Sequence, residues 1–343
     1  TVVVKAMRFS ENASLQTRNT FAITAKARFL ADVYDEGQLA ALLNTVTAKH
    51  LKVLILGGGS NMLLSQDFDG LVICPQLFGV HCISEDDNQV IVEAAAGENW
   101  HQFVQYCLTQ GWYGLENLSL IAGSVGAAPV QNIGAYGVEL KDNFVSLRAI
   151  HRQTATVREF SLAECQFGYR DSVFKGRLKD QYIITAVRFR LSKIAKVSVQ
   201  YGDIRQELTS KGIDSPTPQQ VAQAVIAIRQ RKLPNPEQIG NAGSFFKNPV
   251  ISQAQFESLK QQYPNIVAYP QQQDVKLAAG WLIEQVGWKG QSLGQAGVYE
   301  KQALVLVNRG SATGQEVMAL AKTIQQSVYD KFGVCLEVEV NLI

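Results

Sequence analysis

The sequence predicts an α+β protein built in three segments, and three observations lead there. Strand-like and helix-like hydrophobic patterns alternate along the chain, a proline pair in KLPNP (residues 232–236) punctuates it, and helices on both sides of that break open on capping boxes. The 343 residues suit two or three domains at roughly 100–200 residues each. A chain of this size can bury a core without disulfide or metal staples.

The elements follow in order. Residues 21–34 read as a strand. Residues 36–50 place Leu39, Leu42, Leu43 and Val46 on one helical face. The apolar run 52–56 (KVLIL) then leads straight into Gly57-Gly58-Gly59-Ser60-Asn61. A second segment opens near Val80, with a strand at 90–95 and a helix carrying Trp100, Phe103, Val104, Cys107 and Leu108. Strands at 144–150 and 182–191 follow. The next helix starts at Thr217-Pro218-Gln219-Gln220, a capping box with proline in the first turn, and lines up Val221, Val225 and Ile228. Residues 237–332 mix helices with short strands. Their last helix begins at the Thr313–Glu316 capping box and buries Val317, Leu320, Ala321, Ile324 and Val328. The alternating run 334–340 (VCLEVEV) reads as a strand.

Composition excludes several function classes. With 32 basic and 30 acidic side chains the formal charge is +2, too little field for nucleic acid to be the main partner. Hydrophobics at 46% and charged residues at 18% describe an ordered globular chain. The five cysteines (Cys74, Cys82, Cys107, Cys165, Cys335) form no C-x-x-C pair and read as reduced, mostly buried thiols of a cytoplasmic protein. None of the four histidines has a partner at i+4, so no metal site is expected. The start, TVVVKAMRFSENASL, lacks the apolar core of a signal peptide. Residues 117–138 carry no charge, but Gly123, Gly126, Pro129, Gly134 and Gly137 interrupt them, so they read as a buried binding loop and no membrane insertion is expected.

Four motifs carry candidate chemistry. GGGSN at 57–61 follows a strand; its glycines either make a simple turn or aim N–H groups at phosphate oxygens. It has neither the P-loop lysine nor the G-x-G-x-x-G spacing. Residues 121–137 (IAGSVGAAPVQNIGAYG) suit backbone laid against a flat ring, or a small-residue packing element. Taken together, a phosphate cradle and a ring platform fit a dinucleotide flavin. In Phe167–Ser172, Arg170 is permanently cationic; it can stabilise an oxyanion or simply pair with Asp171. In GNAGSFFKNP (240–249), Ser244 sits between a glycine and two aromatics, with no histidine at nucleophile-elbow spacing to make it a hydrolase. Glu337 and Glu339, two apart, share a face that is either functional or merely solvated.

These segments, in order from Arg18 to Val340, resemble the UDP-N-acetylenolpyruvoylglucosamine reductase family (MurB). The likeness rests on GGGSN, GLENLSLIAGSVG, PVQNIGAYGVEL, ECQFGYRDSVFK, GNAGSFFKNP and the LEVEV end. It implies an FAD-binding unit of the vanillyl-alcohol-oxidase/PCMH-like fold, made of residues 1–79 with a returning terminal strand 334–343, and of residues 80–231. A C-terminal α+β substrate domain would span 232–333. The resemblance implies non-covalent FAD, with NADPH as co-substrate in the same pocket; a monomer is the default expectation. The substrate would be UDP-N-acetylglucosamine enolpyruvate, reduced to UDP-N-acetylmuramate for peptidoglycan precursors. Cofactor positions would be Gly57, Gly58, Gly59, Ser60, Asn61, Ile121, Gly123, Ser124, Gly126, Ala127, Ile133 and Gly134.

Within that resemblance, Ser244 matches the proton donor to C2, Arg170 the enolate-stabilising arginine, and Glu339 the carboxylate beside it. Tyr136, Tyr201, Lys232, Asn248, Tyr269, Lys276, Lys289 and Gln302 match positions that contact the substrate. QQYPNIVAYPQ, with Tyr269, resembles the tyrosine loop of the longer subtype. Ala127-Ala128 stand where relatives can carry serines, so flavin contacts there would fall to backbone N–H groups. No histidine lies in the glycine loop, so the resemblance implies no covalent flavin link. An FAD-linked oxidase of the same fold and a non-catalytic UDP-sugar sensor are the competing readings; a sensor would need none of Ser244, Arg170 and Glu339.

Overall fold

The computed structural model describes residues 5–343, without the side chains of 46–49. The opening TVVV and the Val46 side chain therefore lie outside the described residues. The chain divides into two units, each assembled from separate stretches. The first holds residues up to Ala13, Ala27–Gly58 and Phe68–Arg229; the second holds Ser14–Lys26, Gly59–Asp67 and Gln230–Ile343.

The first unit contains two sheets. Arg8–Ser14, Lys26–Val33, Phe68–Pro75 and Val53–Ile55 form one, in that order, and the last three run parallel. The connecting helix Glu36–Lys49 starts on Asp35, whose carboxylate accepts the Gln38 N–H at 2.7 Å, and stops where His50 turns left-handed. Leu39, Leu42 and Leu43 pack on Ala31, Val33, Leu71 and Ile73, which is the burial their spacing predicts.

The second sheet of this unit is antiparallel, ordered Val157–Ser161, Phe144–His151, Tyr182–Ser192, Gln89–Ala95, Val80–Glu85. Against it lies the helix Trp100–Thr109, capped by Asn99 and burying the five side chains read from sequence. Trp100, Phe103 and Phe189 meet ring to ring at 5.3–5.9 Å and centre this core. Val125, Ala128 and Ile133 join the same core, so the uncharged loop is fixed by its own apolar side chains.

The second unit has a sheet ordered Gly240–Ser244, Val305–Asn308, Ala296–Val298, Ser292–Leu293, all antiparallel. The helix Gly314–Phe332 opens on the expected Thr313–Glu316 box, buries the expected face and ends at left-handed Gly333. A three-stranded sheet (Val250–Ser252, Asp274–Leu277, Ala268–Pro270) precedes that helix in sequence. The strand expected over 334–340 does not form. Val338 makes one bridge to Phe246, and regular pairing begins only at Asn341–Leu342, parallel to Met62–Leu63. The partner segment ends at Pro249, which has no N–H with which to extend a ladder.

No described helix is long and apolar enough to cross a membrane. Among the described residues no three His, Cys, Asp or Glu side chains gather to hold a metal. Cys74, Cys107 and Cys165 are buried and Cys82 and Cys335 exposed, all five as free thiols. Burial pushes the Cys165 thiol up to about 12 and the Cys107 thiol higher still, so neither is a nucleophile near neutrality.

Candidate functional site

In the first unit the two glycine motifs meet. A Cβ on Gly58 would lie 3.2 Å from Gly123 Cα, and one on Gly57 would lie 2.5 Å from Ser124 Oγ. Both glycines are exposed. Main chain is thus presented where any larger residue would fill the space, the arrangement a bound dinucleotide needs. The second motif is tied down from behind: Trp100 N–H donates to Gly123 O at 2.9 Å, Val125 N–H to Glu98 O at 2.8 Å, and Gly126 N–H to Ala96 O at 2.9 Å. Ile121 packs on the core and Ile133 N–H donates to Ala128 O.

The N–H groups of Ala127 and Ala128, expected to face a flavin, are instead turned onto the loop. Both donate to Ser124 O at 3.2 Å, closing a tight turn. With no hydroxyl at either position, the loop uses those donors for itself.

Gly134 and Ala135 pair with Val138 and Glu139 in a small hairpin. Arg170 Nη2 donates to Gly134 O at 2.7 Å, and its guanidinium lies 5.3 Å from the Tyr169 ring. Arg170 does not form the surface pair with Asp171 allowed by its spacing. Instead Gly168 and Asp171 exchange backbone hydrogen bonds at 3.0 and 3.2 Å, and Asp171 accepts the Ser172 N–H. Tyr136 meets Tyr201 edge to face at 6.3 Å, so these two predicted substrate positions are neighbours. Tyr201 is exposed.

Two residues beside them escaped the sequence reading. Arg229, on the helix Pro218–Lys232, has a buried Nε without a hydrogen-bond partner. Burial holds its guanidinium below its ordinary value; the Tyr136 hydroxyl opposes that shift and Arg170 adds to it. His101 is held down by burial and by Arg229, and its neutral Nδ1 accepts the Leu120 N–H at 2.7 Å. Arg229 follows Val221 and Val225 at i+8 and i+4, so a cation on the helix's apolar stripe was the available signal.

In the second unit, Gly59 is left-handed (φ 63°) and a side chain there would strike Arg18 O. Its carbonyl accepts the Thr20 N–H at 2.9 Å, and Asn61 O accepts the Asn341 N–H at 3.0 Å. Ser60 is half-buried.

Ser244 closes the strand Gly240–Ser244 just after a register shift whose Gly243 has φ 68°. Buried Asn241 builds that bulge: its Oδ1 accepts the Gly243 N–H at 2.9 Å and its Nδ2 donates to Ile239 O at 2.9 Å. Residues 337–339 run antiparallel to 245–247, with Glu339 N–H donating to Phe245 O at 2.8 Å and Lys247 N–H to Glu337 O at 2.9 Å. Glu339 is thereby placed beside the Ser244 turn, while Glu337 pairs with Lys247 at 3.5 Å.

Tyr269 and Lys276 are cross-strand partners. Asn248 Oδ1 accepts the Ala279 N–H at 3.0 Å, and Gln302 Oε1 accepts the Leu304 N–H at 3.3 Å. Lys289 lies 3.5 Å from Glu284, and Lys232 is exposed at its helix end.

Residues 27–161 match the FAD binding domain model, and residues 235–343 match the UDP-N-acetylenolpyruvoylglucosamine reductase, C-terminal domain. The UDP-N-acetylenolpyruvoylglucosamine reductase of Pseudomonas putida is 51% identical over 337 residues, 98% of this chain and 99% of its own. That of Chromobacterium violaceum is 52% identical over 335 residues, 97% and 98% of the two chains. The crystal structure of the reductase from Thermus caldophilus shares the fold, with a TM-score of 0.66 at 22% identity over 98% of this chain and 99% of the other. By its relatives' identity and span, the chain belongs to the UDP-N-acetylenolpyruvoylglucosamine reductase family.

Proposed function

We propose that this chain reduces the enolpyruvyl ether of UDP-N-acetylglucosamine enolpyruvate to the lactyl ether of UDP-N-acetylmuramate, with Ser244 as proton donor. It is an FAD-dependent oxidoreductase of peptidoglycan precursor synthesis, with NADPH as reductant. Gly57–Asn61 would hold the pyrophosphate of FAD, and Ile121, Gly123, Ser124, Gly126, Ala127, Ile133 and Gly134 its ring and ribityl. Bound FAD supplies the hydride that reaches C3 of the enolpyruvyl group.

The chain's own residues do the rest. Hydride addition β to a carboxylate builds negative charge on that carboxylate as an aci-type enolate. Arg170, permanently charged and anchored on Gly134 O, stabilises it; one well-placed donor of this kind contributes roughly 3 kcal/mol. Ser244 delivers the proton to C2, with Glu339 as its neighbouring carboxylate. A serine hydroxyl is a poor acid near neutrality, so the transient alkoxide needs a cation, Lys232 or Lys247. Tyr136, Tyr201, Asn248, Tyr269, Lys276, Lys289 and Gln302 bind the nucleotide and sugar; the Tyr269–Lys276 pairing supports a joint role on the diphosphate.

The observation that carries this reading is the backbone exchange between 245–247 and 337–339, which fixes Glu339 next to the Ser244 turn. The pairing of Asn341–Leu342 with Met62–Leu63 supports grouping residues 334–343 with 1–79 in one flavin subdomain; 80–231 would form the other and 232–333 the substrate domain. A cytoplasmic monomer completes the reading; the absence of a C-x-x-C pair fits that compartment.

Rapid mixing tests the chemistry. Ser244→Ala should be reduced by NADPH at the normal rate, and its reoxidation by the enolpyruvyl substrate should slow by about 10²–10⁴-fold. Replacing both Lys232 and Lys247 by Met should slow the same half-reaction; unchanged reoxidation would remove the lysine from the proton step. Equal slowing of both half-reactions in Ser244→Ala would make the serine a pocket-shaping residue and sink the assignment.

A further inference from the structure

We propose that Asn132 is the positioning residue for Arg170, an inference that rests on the enolate-stabilising role assigned to Arg170 above. Asn132 is fully buried and itself left-handed, at φ 47°. Its Nδ2 donates to Gly168 O and to Glu139 Oε2, each at 2.9 Å, and its Oδ1 accepts the Lys141 N–H at 3.0 Å. One carboxamide therefore joins three stretches, its own loop, residues 139–141 through a carboxylate and a backbone N–H, and the backbone at Gly168.

Two of those stretches determine where the guanidinium lies. Gly168 is one end of the turn that carries Arg170, closed by its exchange with Asp171. Arg170 adopts φ 49° within that turn, a conformation costing a non-glycine residue roughly 1–2 kcal/mol. Such strain persists only where surrounding bonds over-determine it. At the other end, Glu139 pairs with Gly134, whose carbonyl receives the Arg170 Nη2 hydrogen bond. Asn132 thus holds both the base of the arginine and the hairpin against which its tip rests. The fit at the tip is close, since a Cβ on Gly134 would lie 2.8 Å from Arg170 Nη1.

The residue type follows from this bonding. The site needs two donors, for a carbonyl and a carboxylate, and one acceptor for a backbone N–H, and an asparagine amide offers that set at this size. An aspartate of the same shape would place one oxygen, in the position of Nδ2, against both Glu139 Oε2 and Gly168 O. Leaving buried acceptors unpaired, or facing like charge, would let the 168–171 turn relax. A displacement of about 1 Å at a positioning contact can cost 10²-fold in rate.

Asn132→Asp and Asn132→Ser, purified as flavin-loaded enzymes, test the idea by rapid mixing beside Arg170→Ala and the double variants. Reduction by NADPH should stay within about twofold of the parent, and reoxidation by the enolpyruvyl substrate should slow by about 10–100-fold. Combined with Arg170→Ala, either Asn132 variant should add no further slowing, because the position it serves is already empty of function. Slowing that multiplies with that of Arg170→Ala, equal slowing of both half-reactions, or loss of flavin from both Asn132 variants would overturn the proposal and leave Asn132 a general structural residue. If Arg170→Ala reoxidises at the parent rate, the assignment of Arg170 falls first and the positioning role falls with it.

Discussion

Gly126 and Gly243 sit in the two motifs that matter most, one in each unit, and their surroundings differ in kind. A Cβ on Gly126 would lie 2.5 Å from Ala96 Cβ and 3.1 Å from Ala96 Cα, on a segment already bonded to Gly126 through Ala96 O. A Cβ on Gly243 would meet nothing within 4 Å, but its φ of 68° is one that side-chain-bearing residues avoid. The flavin loop is glycine because two backbones are pressed together. The serine loop is glycine because the bulge turns the strand through a left-handed residue. Crowding accounts for the glycine in the first unit and torsion for the glycine in the second.

Substitutions can separate crowding from torsion. Gly126→Ala should have the larger effect, about 3 kcal/mol of lost stability, because the atom it meets cannot swing away. It should lower the melting temperature by roughly 6–12 °C and yield protein that loses flavin on purification. Gly243→Ala should lose only about 1–2 kcal/mol and keep its flavin, with its kinetic defect confined to reoxidation by the sugar nucleotide. Equal flavin loss in the two would erase the distinction.

The smallest effect tests burial without glycine. Glu116 is buried next to the loop; desolvation raises its carboxyl above the ordinary range, opposed by the Gly114 N–H at 2.7 Å. A carboxyl raised in the folded state stabilises the fold fully below its unfolded value, and that contribution is lost as pH rises through the folded value. Glu116→Gln keeps the acceptor and removes the charge. Its melting curve should match the parent in acid and lie above it at neutral and higher pH; parallel curves at all pH values would contradict this.

Much of the frame was legible because it is local. Both capping boxes, the Leu39–Leu43 face and the Trp100–Leu108 face follow from spacing alone, and the glycine motifs announce themselves by composition. What was not legible depends on partners far along the chain. The run 334–340 alternates like a strand, yet Pro249 lies at the end of the segment it bridges. Arg229 reads as one more charge near the end of a helix until its Nε is found buried. Ala127 and Ala128 look like backbone donors until Ser124 O is seen to receive both. The work of Asn132 requires knowing that residues 139 and 168 converge on it.

The parallel pairing of Asn341–Leu342 with Met62–Leu63, together with the Ser65–Ile343 hydrogen bonds at 2.7 and 2.9 Å, sets a delay during synthesis. The partners are 278 positions apart. At about 5–20 residues per second, Met62 and Leu63 emerge roughly a quarter of a minute to a minute before the strand that covers them exists. Both side chains are buried in the finished fold. For that interval the nascent chain carries an open apolar edge, and the yield of folded protein becomes a race between translation speed and the capture of that edge by chaperones or other chains.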